Sequence, residues 1–313
     1  MKVHQLRYIR EVARQQLNVS SASEVLHTSQ PGVSKQIQLL EEELNLQIFK
    51  RNGKRLIGIT EPGKAILTIA ERVLHELDNI KRVGDEFSRE DTGSLVIAAT
   101  HTQARYHLPA AVKTFMQAYP NVHLTIHQGN PSQVSEQVMR GEADIGLATE
   151  SIAGYEELVT MPCYQWNRCV VVPQGHPLAS DAPLTLANIA AYPVITYDFA
   201  FAGGSMVSRI FAEHDLQLNV ALTAIDSDVI KTYVELGLGV GLLAKMAFNA
   251  ERDRNLVMID ASHLFPDSIT RLGIRKDSYL RGYQYAFIQI IANHLTRDVV
   301  NQALAGHAST IPL

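Results

Sequence analysis

The 313-residue chain predicts an all-α head carrying a β-hairpin wing, a long connecting helix, and an α/β body of two Rossmann-like lobes. Three observations predict it. Residues 21–55 contain, in order, two short helical runs, a tight turn and a basic hairpin. Residues 60–87 carry apolar positions in alternating steps of four and three. From residue 93 onward short β-rich runs alternate with helical ones, the pattern of βαβ units. The length suits about two domains, each with its own core.

In the head, Ser21 and Glu24 have the spacing of a capping box, which predicts a helix start there. His27-Thr28 breaks that helix and Ser29 caps the next. Pro31 falls in the first turn of this second helix, where a missing N–H costs nothing. Val33, Ile37, Leu40 and Leu44 then recur on one face, while Ser34, Lys35, Gln36 and Gln38 point elsewhere. Donor- and acceptor-bearing side chains of this kind read base edges and phosphates. Lys50, Arg51, Lys54 and Arg55 flank Asn52-Gly53, a strong short-range hairpin signal, so the wing carries four positive charges. Small helical hairpins with a charged face are common in proteins that never touch DNA. Here cap, turn, proline-opened helix and basic wing follow one another in the order that groove geometry requires. The expected partner is double-stranded promoter DNA, and the candidate DNA-binding residues are Ser29, Gln30, Pro31, Ser34, Lys35, Gln36, Arg51, Lys54 and Arg55.

The net charge of −4 looks wrong for such a partner until it is divided. Residues 1–64 hold 10 Lys+Arg against 6 Asp+Glu, and residues 91–313 hold 14 against 20. A basic head on an acidic body suits a protein that grips phosphates with one end only. The N-terminal MKVHQLRYIREVARQQ lacks the apolar core of a secretory signal, and no run of about 18 apolar residues occurs, so a cytoplasmic location and no membrane partner are expected. Cys163 and Cys169 have no metal-ligand companions nearby and read as two reduced thiols.

The connecting helix is expected from Thr60, a capping threonine followed by Glu61-Pro62, to about Phe87. Ile66, Ala70, Val73, Leu77, Ile80, Gly84 and Phe87 form its stripe. An amphipathic helix packed on its own domain would show a similar stripe. With no second long helix following to pair with it, self-association is the expectation, which would place two reading heads on two half-sites. The divisions are thus 1–59 for the head, 60–92 for the linker helix and 93–313 for the body.

In the body, strands are expected at 95–100, 123–128, 143–149, 168–173, 192–196, 219–225 and 240–244, in largely parallel sheets. Helices are expected up to Ala118, at 132–141, and near 205–214, 226–236 and 281–300. Ligands of open α/β sheets bind beyond the carboxyl ends of strands. The first strand ends at Thr100-His101-Thr102-Gln103, and the strand ending ADIGLAT brings Thr149 to the same edge. Singly, each threonine reads as a helix cap. As a set at two strand ends they form a site for an anion or small polar ligand. Enzyme signatures are scarce, with no G-x-S-x-G elbow, Walker loop or His-Glu-x-x-His. Gly237-Leu238-Gly239-Val240-Gly241 lies at a helix-to-strand junction and reads as a helix terminator, and Asp226 and Asp228 as the start of a helix. No catalytic residue, cofactor or metal site is predicted. A transport-type binding protein or an enzyme on the same two-lobed body are the rival classes. The basic head argues against the first, and the lack of a nucleophile–base set against the second.

SQPGVSKQIQLLEEELNLQIFKRNGKR with the ITEPG-opened helix resembles the LysR-type transcriptional regulators. ATHTQARYHLP (99–109), GEADIGLATE (141–150), DSDVIKTYVELGLGVG (226–241) and HLTRDVV (294–300) resemble the CysB/Cbl-like subgroup, which governs sulfur assimilation and cysteine biosynthesis. The likeness covers essentially residues 1–305. It implies a winged helix-turn-helix, a dimerising linker helix and a periplasmic-binding-protein-like effector domain, assembled as a homodimer or homotetramer that activates promoters with RNA polymerase. It also implies N-acetylserine, O-acetylserine or a sulfate-like anion as effector, held in an interlobe cleft at positions matching Thr100, Thr102, Gln103, Thr149, Trp166 and Ala202. Trp166 is nominated by the resemblance alone. At Ala202 the subgroup commonly has a threonine in a TGRS-like loop, whereas this chain reads Phe201-Ala202-Gly203-Gly204-Ser205. The lost hydroxyl contact is worth about 1 kcal/mol.

Overall fold

In the computed structural model, which describes residues 1–53, 55–88, 92–180, 183–198, 202–307 and 313, the chain divides into two compact units, Met1–Gly84 and Asp85–Leu313. The first opens with α1 (Val3–Arg14), whose Leu6, Ile9 and Val12 are buried along one face. Next comes α2 (Val19–Val25), capped by Asn18, whose Oδ1 accepts from the Ser20 and Ser21 N–H groups at 3.0 and 3.1 Å. This corrects the expected capping box, since Ser21 lies inside the helix. Gln16 and Leu17 adopt left-handed backbone (φ 51° and 67°), which turns the chain so that Asn18 meets the helix first. Asparagine caps as well as serine does. His27, at φ 49°, marks the expected break.

In α3 (Gln30–Leu44), Ser29 is the cap, its Oγ accepting from Gly32 N–H at 3.3 Å, and Pro31 sits in the first turn as expected. Val33, Ile37 and Leu40 are buried, but Leu44, at the frayed end before left-handed Asn45, is exposed. The wing is β1 (Phe49–Asn52) against β2 (Arg55–Ile59), with Asn52 opposite Arg55. The turn therefore falls one residue later than Asn52-Gly53 alone implies, with Gly53 at φ +59°. Buried Glu41 holds the wing to α3. Its Oε1 accepts from Ile48 and Phe49 N–H at 2.8 and 3.1 Å, and its Oε2 meets the Arg51 guanidinium at 2.9 Å.

The long helix α4 (Glu61–Ser88) is capped by Thr60, whose Oγ1 accepts from Gly63 N–H at 2.9 Å. The expected single apolar stripe is in fact two. Ile66, Ala70 and Leu77, with Leu67 and Leu74, pack into the head core, whereas Ile69, Val73, Ile80, Val83 and Phe87 are exposed. The head core claims the face nearest to it, and the 4–3 spacing continues on the other side of the helix.

The body runs β3 (Gly93–Ala99), α5 (Leu108–Ala118), β4 (Val122–Gln128), α6 (Pro131–Met139), β5 (Ile145–Ala148) and β6 (Leu158–Trp166). It crosses to a second lobe with β7 (Arg168–Pro173), α7 (Leu186–Ala190), β8 (Val194–Tyr197), α8 (Ala202–Glu213), β9 (Val220–Ala224), α9 (Ser227–Glu235), β10 (Val240–Ala244) and β11 (Leu256–Asp260). It then returns as β12 (Ser268–Arg275), α10 (Gly282–Ile291) and α11 (Arg297–Leu304). Among the described residues each lobe has a five-stranded sheet, ordered β4-β3-β5-β12-β6 and β11-β7-β10-β8-β9. Four strands in each run in one direction, but β12 and β7 are inserted antiparallel to both of their neighbours, so each sheet is mixed in its pairing. Strands β6, β11 and β12 and helix α7 were not expected. The single helix expected at 281–300 is two, because the chain leaves helical geometry at Ala292 and restarts at Thr296, which caps α11. Asp226 caps α9 and Gly237 follows its end at φ +74°, both as expected.

The lobes are joined by two crossings, β6 to β7 at Asn167 and β11 to β12 through residues 261–267. The Asn167 side chain ties them together. Its Nδ2 donates to the Ser262 and Phe265 carbonyls at 3.4 and 3.2 Å and to Asp267 Oδ1 at 2.6 Å, while its Oδ1 accepts from Arg168 N–H at 2.6 Å. No helix among the described residues is long and apolar enough to cross a membrane.

One glycine of α4 is a steric requirement and another is not. A methyl group at Gly63 would overlap the Ile48 carbonyl, whereas at Gly84 it would meet open space. Gly63→Ala is therefore expected to destabilise the protein by about 1–3 kcal/mol through overpacking. Gly84→Ala should stabilise it by up to about 1 kcal/mol through helix propensity. Denaturant unfolding of the two variants beside the parent checks the opposite signs.

Candidate functional site

The carboxyl ends of the parallel strands of both lobes face one cavity of about 40 Å³. One water takes about 10–15 Å³ on this measure, so the space suits a small polyatomic group. From the first lobe come Thr100 and Thr102 beyond β3, and Thr149 beyond β5. Trp166 enters from the end of β6 and Tyr197 from the end of β8. Five of the six predicted effector positions are thus brought together. The sixth, Ala202, opens α8, and its side chain lies outside the described residues.

The backbone explains why these side chains are available. The chain turns helical at His101 and widens into a π-helical turn at Gln103–His107 before α5. The first N–H groups of such a segment have no partner within it. Neither Thr102 nor Thr149 makes a side-chain cap hydrogen bond, so the capping alternative is not realised. Gln103 is almost fully buried and differs from expectation. Its Nε2 donates to Thr270 Oγ1 at 3.1 Å and its Oε1 accepts from the Tyr164 hydroxyl, so the amide is held inward at the cavity wall.

Two polar atoms at this cavity are buried without a hydrogen-bond partner, Trp166 Nε1 and His101 Nδ1. An unpaired buried donor costs about 1–3 kcal/mol, which makes the Trp166 indole N–H a ready contact for an acceptor on a ligand. The lining carries no carboxylate among the described residues. Buried Arg168 lies behind Trp166, its guanidinium 5.1 Å from the ring centroid and 3.1 Å from Ser268 Oγ. Threonine hydroxyls and an indole N–H in a lining without carboxylates suit an oxygen-rich acceptor ligand. Tyr197 closes the cavity from the second lobe. Its hydroxyl accepts from Ala244 N–H at 3.1 Å and lies 2.6 Å from Ser227 Oγ, and burial pushes its pKa up. Sequence reasoning placed His101 at this strand end without giving it a role and missed Tyr197, for which the strand end of VITY was the available signal.

Burial pushes the Cys163 and Cys169 thiols up to about 12, and both are free cysteines in the interior. Among the described residues no group of three His, Cys, Asp or Glu side chains is placed to hold a metal ion.

On the head, Ser29, Gln30, Pro31 and Lys35 are exposed on α3 and Arg55 is exposed on the wing, while Ser34 is half-buried. Gln36 departs from the outward set, because its Oε1 lies 3.1 Å from His4 Nε2 and accepts from Gln5 Nε2 at 3.3 Å on α1. Arg51 is shared with Glu41, and Lys54 lies outside the described residues. A polar groove of about 760 Å³ runs beside this face, lined by Arg14, Asn18, Ser20, Ser21, Gln30 and Arg55 among others. Its α1–α2 residues were not predicted, and the Asn18 cap was the signal overlooked.

Residues 3–64 match the bacterial regulatory helix-turn-helix protein of the lysR family, and residues 88–296 match the LysR substrate binding domain. The chain is 50% identical to the HTH-type transcriptional regulator CysB of Burkholderia cenocepacia over 313 residues, the whole of both chains. It is also 50% identical to the HTH-type transcriptional regulator SsuR of that organism over 295 residues, 94% of this chain and 96% of the other. The crystal structure of the cofactor-binding domain of the Cbl transcriptional regulator is similar with a TM-score of 0.66 at 39% identity, covering 68% of this chain and 93% of that one. Head and body each match the same family and full-length relatives share half of the residues, so the chain belongs to the LysR family of transcriptional regulators.

Proposed function

We propose that the chain is a cytoplasmic regulator, mainly an activator, of sulfur-assimilation and cysteine-biosynthesis genes. It reads promoter DNA with α3 and the wing, and a small oxyanion effector in the interlobe cleft controls it. N-acetylserine, O-acetylserine and sulfate are the effector candidates. The observation that carries this reading is the cavity that gathers Thr100, Thr102, Thr149 and Trp166 around an unpaired indole N–H. The exposed Ile69, Val73, Ile80, Val83 and Phe87 of α4 support a homodimer, and two such dimers a tetramer. Effector binding shifts the population of lobe arrangements and so the spacing of the reading heads and their contact with RNA polymerase. The chain binds its effector and does not turn it over. A second reading, control of sulfonate and sulfate-ester use in the Cbl-like branch, is supported by the SsuR relative, which is as similar as the CysB one.

For the head, Ser34→Ala is expected to lose about 1–3 kcal/mol of discrimination between a cysteine-biosynthesis promoter and random DNA. Arg55→Ala should weaken both alike and lower the salt slope by about one. Binding titrations at several salt concentrations check this, and equal losses on both DNAs for Ser34→Ala would overturn the assignment. For the cleft, Thr102→Val keeps shape and removes the hydroxyl. Calorimetry with sulfate, N-acetylserine and O-acetylserine should show at least one bound by the parent and weakened about 10-fold or more in the variant.

A further inference from the structure

The turn that forms the floor of the cleft is fastened to the opposite lobe on its far side. Tyr106 belongs by sequence to the first lobe, yet its ring packs against the second lobe's core cluster of Ile195, Ile230, Val234 and Leu243. Its hydroxyl donates to Asp228 Oδ1 on α9 at 2.5 Å. Asp228 is met in turn by Lys231 Nζ at 3.2 Å and, from a half-exposed position, by Arg105 Nε at 3.3 Å. Lys231 is only 7% exposed and is itself fixed by Asp253 at 2.9 and 3.1 Å and by the Ala247 carbonyl at 2.9 Å. Its ammonium lies 5.4 Å from the Tyr106 ring centroid. Burial and then the Asp228 hydrogen bond push the Tyr106 hydroxyl up to about 12, so it remains a donor at any physiological pH.

The segment that reaches across is the π-helical turn Gln103–His107, and the residues entering it are Thr100 and Thr102 of the cavity. A π turn is less stable than the α-helix it interrupts and persists where surrounding contacts hold it. We propose that Tyr106 and Asp228 are positioning residues for the effector cleft. Their half-buried, lysine-backed bridge holds the turn in the geometry that presents Thr100 and Thr102 to an oxyanion. The inference rests on the effector reading of the cleft given above. Ordering a binding loop in advance removes part of the cost of binding, so a loosened bridge appears as lost affinity. Because the two side chains act as one unit, their losses overlap rather than add.

The test uses the full chain as Tyr106→Phe, Asp228→Asn and the double variant. Phenylalanine keeps the ring in the second-lobe core and over Lys231 and deletes only the bridge. Calorimetry with sulfate and N-acetylserine is expected to show each single variant weakened about 3- to 10-fold and the double variant no weaker than the worse single within about a factor of two. Amide hydrogen exchange without effector should show residues 101–107 exchanging faster in Tyr106→Phe. Unchanged affinity, or losses that multiply in the double variant, overturns the proposal. Should the parent chain bind neither anion, the effector reading fails and exchange alone decides. Faster exchange confined to 101–107 then upholds the bridge as what positions that turn, and unchanged exchange overturns it.

Discussion

The body depends on Asn167. The two lobes also touch through Tyr106 and Asp228, but the chain passes between them only at two crossings, and the cleft exists only while their carboxyl edges face each other. One amide side chain donates to three acceptors on the returning segment and accepts from the Arg168 N–H that opens β7. That arrangement satisfies a polar group where two chain crossings meet and leaves both lobes free to be ordinary α/β layers. A side chain of aspartate shape would lose the donor, and an alanine would leave three acceptors without it, at about 1–3 kcal/mol for each one that water does not reach.

The charge of the molecule is organised by the same economy. Carboxylates that matter to the fold are internal fasteners. Glu41 gathers the Ile48 and Phe49 N–H groups at the entry to the wing and Arg51, and Asp253 holds Lys231 and the Asn249 N–H. Lys35 and Arg55 on the head are exposed. Exposed charges beyond a Debye length of about 8 Å are largely screened at physiological salt, so the net −4 is a poor guide to the field at the head's own surface.

Signals that act over a few residues were legible in the sequence. Ser29 and Thr60 as caps, Pro31 in a first turn, His27 as a break, Asp226 at a helix start and Gly237 at a helix end all depend on neighbours within a turn. The same locality misled at Ser21, where a competing cap lay three residues upstream, and at α4, where one stripe was read for two. Strands β6 and β12 escaped because each is stabilised by the other across a long separation in sequence, and Pro162 interrupts the run opposite a register shift. In the cleft, Thr100, Thr102 and Thr149 could be placed by the strand-end rule, and Trp166 came through resemblance alone. Tyr197 needed the cavity itself, and the Tyr106–Asp228 contact spans 122 residues that no periodicity connects.

The topology also sets an order of events during synthesis. The second lobe is one uninterrupted stretch from β7 to β11, whereas the first is split around it. Strand β12 lies between β5 and β6 and is made about 100 residues after β6. At about 5–20 residues per second the ribosome needs roughly 5–20 s to supply it. Through that interval β6 lacks its ladder partner and β5, paired with β3, has one open edge, and unpaired strand edges are templates for association with other chains. The lobe begun first is therefore the lobe finished last, and its waiting edges are where a nascent chain is most exposed to misassembly and to capture by chaperones.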